Sequence, residues 1–116
     1  MRRLPAEELL VRAATHRDRG DLPAARRAAT LALARATTIA LRAYARAELG
    51  VIAKLRGHLA EAFAHYRAAR PLIERAFGIT SPELAAHLHN LAGLAHAVGE
   101  HALGRSLIEL AIRLDP

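Results

Sequence analysis

The chain has 116 residues, a length typical of one domain. Hydrophobic residues make up 53% of it and aromatic residues only 3%, so alanine and leucine must form the core, which favours closely packed helices over a β-sheet. The absence of cysteine excludes disulfide bonds and thiolate zinc sites. The formal net charge of +6 is compatible with an acidic partner or nucleic acid, but also with arginines that simply face solvent on the outer sides of the helices, and we favour the last interpretation.

The N-terminus has no apolar signal-peptide core, and no uncharged apolar run reaches the length of about 18 residues that a membrane span needs. We therefore expect a cytoplasmic protein without membrane contact. All but one of the 17 basic residues are arginine, the exception being Lys54, which indicates a GC-rich bacterial genome.

Helical spacing and capping residues predict six helices and no strand. The predicted helices lie at about 5–19, 22–36, 39–56, 59–77, 82–98 and 101–114. Asp21 and Ser81 are the predicted N-caps of the second and fifth helices, because their side chains can accept from the first free backbone N–H groups. Pro71 lies inside the fourth helix and predicts a kink, since it removes one backbone hydrogen bond.

A pattern of small residues recurs three times along the chain. In each copy, a small residue lies seven positions before a glycine, and another lies five positions after it. The triplets are Ala13-Gly20-Ala25, Gly50-Gly57-Ala62 and Ala92-Gly99-Gly104. Such a period is typical of stacked repeat proteins, in which the glycine ends one helix in a left-handed conformation and small residues let the next helix pack closely. This predicts a single all-α domain, 1–116, of three helix hairpins at about 5–37, 38–78 and 79–116.

The third copy resembles the tetratricopeptide (TPR) repeat in its longer variety, found in kinesin light chains and many bacterial regulators. The resemblance lies in the run from Ser81 to Ala95 and in the closing Leu114-Asp115-Pro116. The second copy adds Leu49-Gly50 and Gly57-x-x-x-Glu61-Ala62-x-x-x-Tyr66. The resemblance implies that the three stacked hairpins form a short right-handed superhelix, which serves as a scaffold for binding other proteins.

Helical periodicity predicts which residues form the core. From the first helices of the hairpins these are Leu9, Ala13, Leu49, Gly50, Ala53, Leu88, Leu91, Ala92 and Ala95. From the second helices they are Ala25, Ala29, Ala32, Ala62, Tyr66, Ala69, Ile108 and Ala111. We interpret Phe63 and Tyr66 as packing residues.

The resemblance further implies that the first helix of each copy lines a concave ligand groove. The implied positions are Glu7, Leu10, Ala14 and Arg17 in copy one, Tyr44, Ala47, Glu48, Val51 and Lys54 in copy two, and Ala86, His89, Asn90, Gly93 and His96 in copy three. Arg17, Lys54 and His96 occupy equivalent places and predict a basic ladder. Leu10 and Ala14 stand where the family's carboxylate clamp has lysine and asparagine, so the complete clamp is not present.

Seven histidines in a chain without cysteine raise the question of a metal or catalytic site. The densest group is His87, His89, His96 and His101, whose spacings do not bring two rings to one ion on a single helix face. The chain contains no H-E-x-x-H, P-loop or G-x-S-x-G motif. We therefore predict no metal, no cofactor and no enzymatic activity.

Two functional classes remain open. The first is an interaction module that binds a peptide or protein segment in the groove, and the basic first two copies favour an acidic segment. The second is a self-associating structural element, or a regulatory fragment of a larger TPR protein. The last helix presents four leucines with no further helix to cover them, which predicts a homodimer or partner surface: Leu103, Leu107, Leu110 and Leu114. Nucleic acid is not expected, since aromatic platforms and a recognition-helix motif are absent.

Overall fold

The computed structural model describes residues 3–115, and this part of the chain forms six α-helices and no β-strand. The helices are α1 (Ala6–Asp18), α2 (Leu22–Arg35), α3 (Ile39–Leu55), α4 (Leu59–Phe77), α5 (Pro82–Ala97) and α6 (His101–Leu114). Each end lies within one residue of its predicted position, and the all-α prediction is confirmed. None of these helices is long and apolar enough to cross a membrane.

Side-chain caps begin three of the helices. The Asp21 carboxylate accepts from the backbone N–H of Ala24 at 3.2 Å, and the Ser81 hydroxyl accepts from that of Leu84 at 3.1 Å, so both predicted caps are confirmed. Thr38 caps α3 in the same way. The α4 helix continues past Pro71 to Phe77, although the proline ring cannot donate a backbone hydrogen bond.

One turn geometry closes all three hairpins. Gly20, Gly57 and Gly99 have φ angles of 82°, 80° and 90°, the left-handed conformation predicted for them. In each turn, the residue after the glycine donates to the carbonyl five positions earlier, as Asp21 does to His16 at 2.9 Å. The turn is therefore the same in each copy, which is the structural counterpart of the repeated sequence pattern.

The helices pack as three hairpins stacked in chain order. Within the hairpins, α1 contacts α2, α3 contacts α4, and α5 contacts α6. Neighbouring hairpins meet through α2–α3, α4–α5 and α1–α3, whereas no Cα atoms of α3 and α5 approach within 8 Å. The third hairpin is therefore joined to the second mainly through α4 and α5.

The core forms at the predicted positions with one exception. Every predicted inward residue is buried except Ile108, whose exposed fraction is 36%. Phe63 and Tyr66 are buried, which confirms their interpretation as packing residues. The prediction for Ile108 is wrong because, in the described part of the chain, no helix follows the third hairpin and covers this side of α6.

The prediction that α6 leaves four leucines uncovered is also wrong. Leu107 is only 3% exposed and belongs to the main core, and Leu110 and Leu114 pack against that core. Leu103 alone of the four is exposed, at 37%. The physical reason is that α6 turns this side towards α5 and the core, so that Ile108 and Ile112 face outwards instead.

Candidate binding site

A shallow groove runs between the first helices of the first two hairpins, and we call it the α1–α3 groove. Its volume is about 420 Å³. It is lined by Leu10, Val11 and Ala14 from α1 and by Tyr44, Ala47, Glu48 and Val51 from α3. The two helices pack against each other directly, and the small side chains of the alanines leave space between them. Six of these seven residues are among the implied groove positions; only Val11 is an addition.

An ion pair joins the two walls of this groove. The Arg17 guanidinium donates to the Glu48 carboxylate at 3.0 Å, and it also lies 3.4 Å from the carboxylate of Asp18. The Glu48 side chain is 12% exposed and that of Arg17 is 25% exposed. Burial raises the pKa of Glu48, and the nearby positive charge of Arg17 offsets only part of this effect. Arg17 therefore favours the charged form of Glu48 against the effect of burial.

Two apolar side chains are offered to a ligand at this groove. Tyr44 is 51% exposed, and its ring is held by Phe77 at a centroid distance of 5.7 Å and a tilt of 60°. Val11 on the opposite wall is 67% exposed. A half-exposed ring that is already fixed in place can bury apolar surface against a ligand at a low cost in conformational entropy.

A second depression, with a volume of about 660 Å³, lies on the third hairpin, and we call it the α5–α6 face. It is lined by His89, Ala92, Gly93 and His96 from α5 and by His101, Gly104, Arg105, Ile108 and Glu109 from α6. The Nδ1 atoms of His96 and His101 lie 2.8 Å apart. One ring must donate and the other accept, so the contact requires one ring to have an unprotonated Nδ1.

The predicted groove residues therefore line two separate depressions. Tyr44, Glu48 and Val51 line the α1–α3 groove, with Arg17 paired to Glu48, whereas His89 and His96 line the α5–α6 face. Lys54 and Asn90 are exposed and line neither depression. Arg17 is paired with a carboxylate and His96 with a histidine, so the three members of the predicted basic ladder have different surroundings.

His87 differs from the other histidines of its group because it lies in the core. It is 5% exposed, its ring stacks on Tyr66 at a centroid distance of 5.0 Å, and its Nε2 lies 2.8 Å from the Tyr66 carbonyl oxygen. Burial lowers the pKa of His87, so the neutral ring donates this hydrogen bond. Within residues 3–115, no three histidine or carboxylate side chains are placed to share a metal ion.

No family model matches the chain, and no curated protein matches it. Sequence reasoning missed Val11 and the α6 wall of the α5–α6 face. The signal that could have found this wall is the repeat together with the absence of a fourth copy in these 116 residues: Ile108 occupies the same place after its turn glycine as the buried Ala29 and Tyr66 do, but no further hairpin follows it there.

Proposed function

We propose that the protein is a TPR-like, non-enzymatic interaction module of a bacterial cytoplasm that binds a peptide or protein segment in the α1–α3 groove. The observation that carries the proposal is the pairing of exposed apolar side chains with a charged group in one concave surface. Tyr44 and Val11 supply the apolar contact, and the Arg17–Glu48 pair supplies the polar one. Binding sites for ligands usually consist of apolar surface with a small number of polar groups.

The chemistry of the groove favours a segment with an aliphatic or aromatic anchor and a nearby carboxylate. The anchor would cover Tyr44 and Val51. The carboxylate would share the partly exposed guanidinium of Arg17 with Glu48, and the net charge of +6 would attract an acidic segment over longer distances. We do not expect nucleic acid in this groove, because its only aromatic residue is Tyr44.

Selection from a displayed peptide library tests the proposal. Peptides selected on the wild-type protein would be measured by fluorescence anisotropy against the wild type, Tyr44→Ala and Ile79→Ala. Ile79 is 69% exposed and lies outside the groove, so it provides the matched control. We expect Tyr44→Ala to weaken binding about tenfold, because truncated aromatic anchors typically cost more than 1 kcal/mol, and Ile79→Ala to leave the Kd unchanged.

Salt dependence tests the carboxylate separately. The affinity of selected acidic peptides should fall as ionic strength rises, and neutral amide analogues should lose this dependence. Selected peptides whose Kd is the same for the wild type, Tyr44→Ala and Val51→Asp would show that the α1–α3 groove is not the binding site.

A further inference from the structure

The surface that becomes the α5–α6 face in the third hairpin is already covered in the first. Ala25 and Ala29 lie five and nine positions after Gly20. Both are fully buried in one cluster with Leu49 and Ile52 of α3. The first helix of the second hairpin therefore packs over this surface of the first.

The second hairpin repeats the arrangement. Ala62 and Tyr66 occupy the same places after Gly57, and both are buried in the core that includes Leu88 of α5. The stacked ring of His87 adds a contact to Tyr66. In two of the three copies, these places are therefore buried, and the first helix of the next hairpin contributes to the cluster together with the first helix of their own hairpin.

In the third hairpin, and in the described part of the chain, only part of the same surface is uncovered: Gly104 is buried against α5 of its own hairpin, whereas Ile108 is exposed. Gly104 and Ile108 follow Gly99 at the equivalent places, and they border the depression of the α5–α6 face. Ile108 is 36% exposed, and Ile112, one turn later on the same side of α6, is 52% exposed. The apolar position that is buried as Ala29 and Tyr66 in the first two copies is therefore exposed as Ile108 in the third.

The opposite end of the array is polar. Two positions of each first helix, eight and five residues before the turn glycine, can be compared between the copies. In α3 they are Leu49 and Ile52, in α5 they are Leu91 and Leu94, and all four residues are buried. The equivalent residues of α1 are Arg12 and Thr15, neither of which is buried. Stacking α1 of a second copy on the α5–α6 face would bury the Arg12 charge, so head-to-tail association is disfavoured.

We propose that the α5–α6 face packs against the same face of a second copy of this chain, forming a two-fold symmetric dimer. The face is self-complementary in shape, because Ile108 borders the same depression as Gly93, which is exposed and leaves space for the isoleucine of the other copy. It is also self-complementary in charge. Arg105 and Glu109 lie one helical turn apart, so antiparallel pairing of two α6 helices brings each arginine next to the glutamate of the second copy.

The α5–α6 face and the α1–α3 groove share no lining residue. The proposal therefore goes beyond the peptide-binding function and stands or falls independently of it.

Light scattering coupled to size exclusion, from low to high micromolar concentration, tests the proposal on the full chain. We expect the wild type to move from monomer to dimer mass. Ile108→Glu should remain monomeric, while Ile79→Glu, an exposed isoleucine outside the face, should dimerise as the wild type does. Gly93→Leu should also remain monomeric, since nothing lies within 4 Å of a Cβ atom at this position and the side chain can fill the depression without disturbing its own fold. Circular dichroism verifies that each variant is helical.

Charge reversal tests the geometry of the pairing. Arg105→Glu should weaken the dimer at least tenfold, and the double variant Arg105→Glu with Glu109→Arg should restore it. A wild type that is monomeric at every concentration, a dimer that persists in folded Ile108→Glu, or a mass that grows beyond a dimer would each overturn the proposal. A double variant that is not restored would overturn the antiparallel pairing of α6.

Discussion

Gly50 lies directly against the ring of Tyr66: a Cβ atom at position 50 would come within 2.5 Å of Cδ2 of that ring. Both residues are buried, and Tyr66 is held on another side by the stacked ring of His87. The absence of a side chain at position 50 therefore allows α3 and α4 to pack with a tyrosine between them. The equivalent positions of the other copies hold alanine, at Ala13 and Ala92.

Gly50→Ala should lower the free energy of unfolding by about 1–2 kcal/mol, because the cost of overpacking exceeds the helix-propensity gain of alanine. Gly93→Ala is the matched control, since it also lies within a helix but a Cβ atom there has no neighbour within 4 Å. That control should raise stability by about 0.5–1 kcal/mol. Urea denaturation of both variants measures the difference, and equal effects would contradict the role assigned to Tyr66.

Position 99 requires a glycine because of the backbone conformation of the turn and not because space is lacking. Its φ is 90°, and nothing lies within 4 Å of a Cβ atom built on it. Gly99→Ala should therefore cost about 1–2 kcal/mol, and Gly99→Asn should cost less because asparagine tolerates the left-handed region. Thermal unfolding ranks the three proteins. An alanine variant as stable as the wild type would show that the left-handed turn is not needed.

The Arg17–Glu48 pair should couple α1 to α3. Arg17→Met should destabilise more than Glu48→Gln, because it leaves a carboxylate that is 12% exposed without its counter-charge. A double-mutant cycle should give a coupling of about 1 kcal/mol. The more exposed Arg26–Glu61 pair, at 3.5 Å between α2 and α4, is the control and should give a smaller value. Equal couplings would show that burial does not strengthen the pair in the groove.

Stability should fall as the pH drops below about 6.5, the ordinary pKa of histidine. Burial lowers the pKa of both His87 and His65 in the folded chain, so the unfolded chain binds protons first. The contribution of the two neutral histidines to the free energy of unfolding is complete above a pH of about 6.5. It is lost as the pH falls from there to their lowered pKa values in the folded chain. The raised pKa of Glu48 acts in the opposite sense, favouring the folded chain as the pH falls.

Substitution of His87 measures how much this residue contributes to the pH dependence of stability. His87→Phe keeps a ring against Tyr66 but removes the titrating group, so its stability should change less between pH values of about 7.5 and 5.5 than that of the wild type. His89→Phe makes the same substitution at an exposed histidine and serves as the control. Chemical denaturation at the two pH values measures this. If the difference in stability between the two pH values is the same in His87→Phe as in the wild type, His87 is not a neutral, buried residue.

Local signals in the sequence were sufficient to predict the helices and most of the core residues. Asp21, Ser81 and the turn glycines act within a few residues of their position, so their effect does not depend on the rest of the fold. Burial follows helical periodicity wherever a helix has neighbours on its predicted inner side, as at Leu88 and Ala111. Six of the positions that the resemblance to the TPR repeat implies for a groove line the α1–α3 groove.

What the sequence by itself determined was thus the three-fold repetition of a glycine-closed helix hairpin, because each part of that unit is specified over short distances. Only the tertiary structure decided which residues are in contact: Arg17 pairs with Glu48, His87 lies in the core, and His96 contacts His101 in a separate depression. It also decided which side of α6 is covered, exposing Ile108 and burying Leu107. The physical reason is that periodicity defines an apolar side of a helix, whereas burial depends on whether another helix packs there.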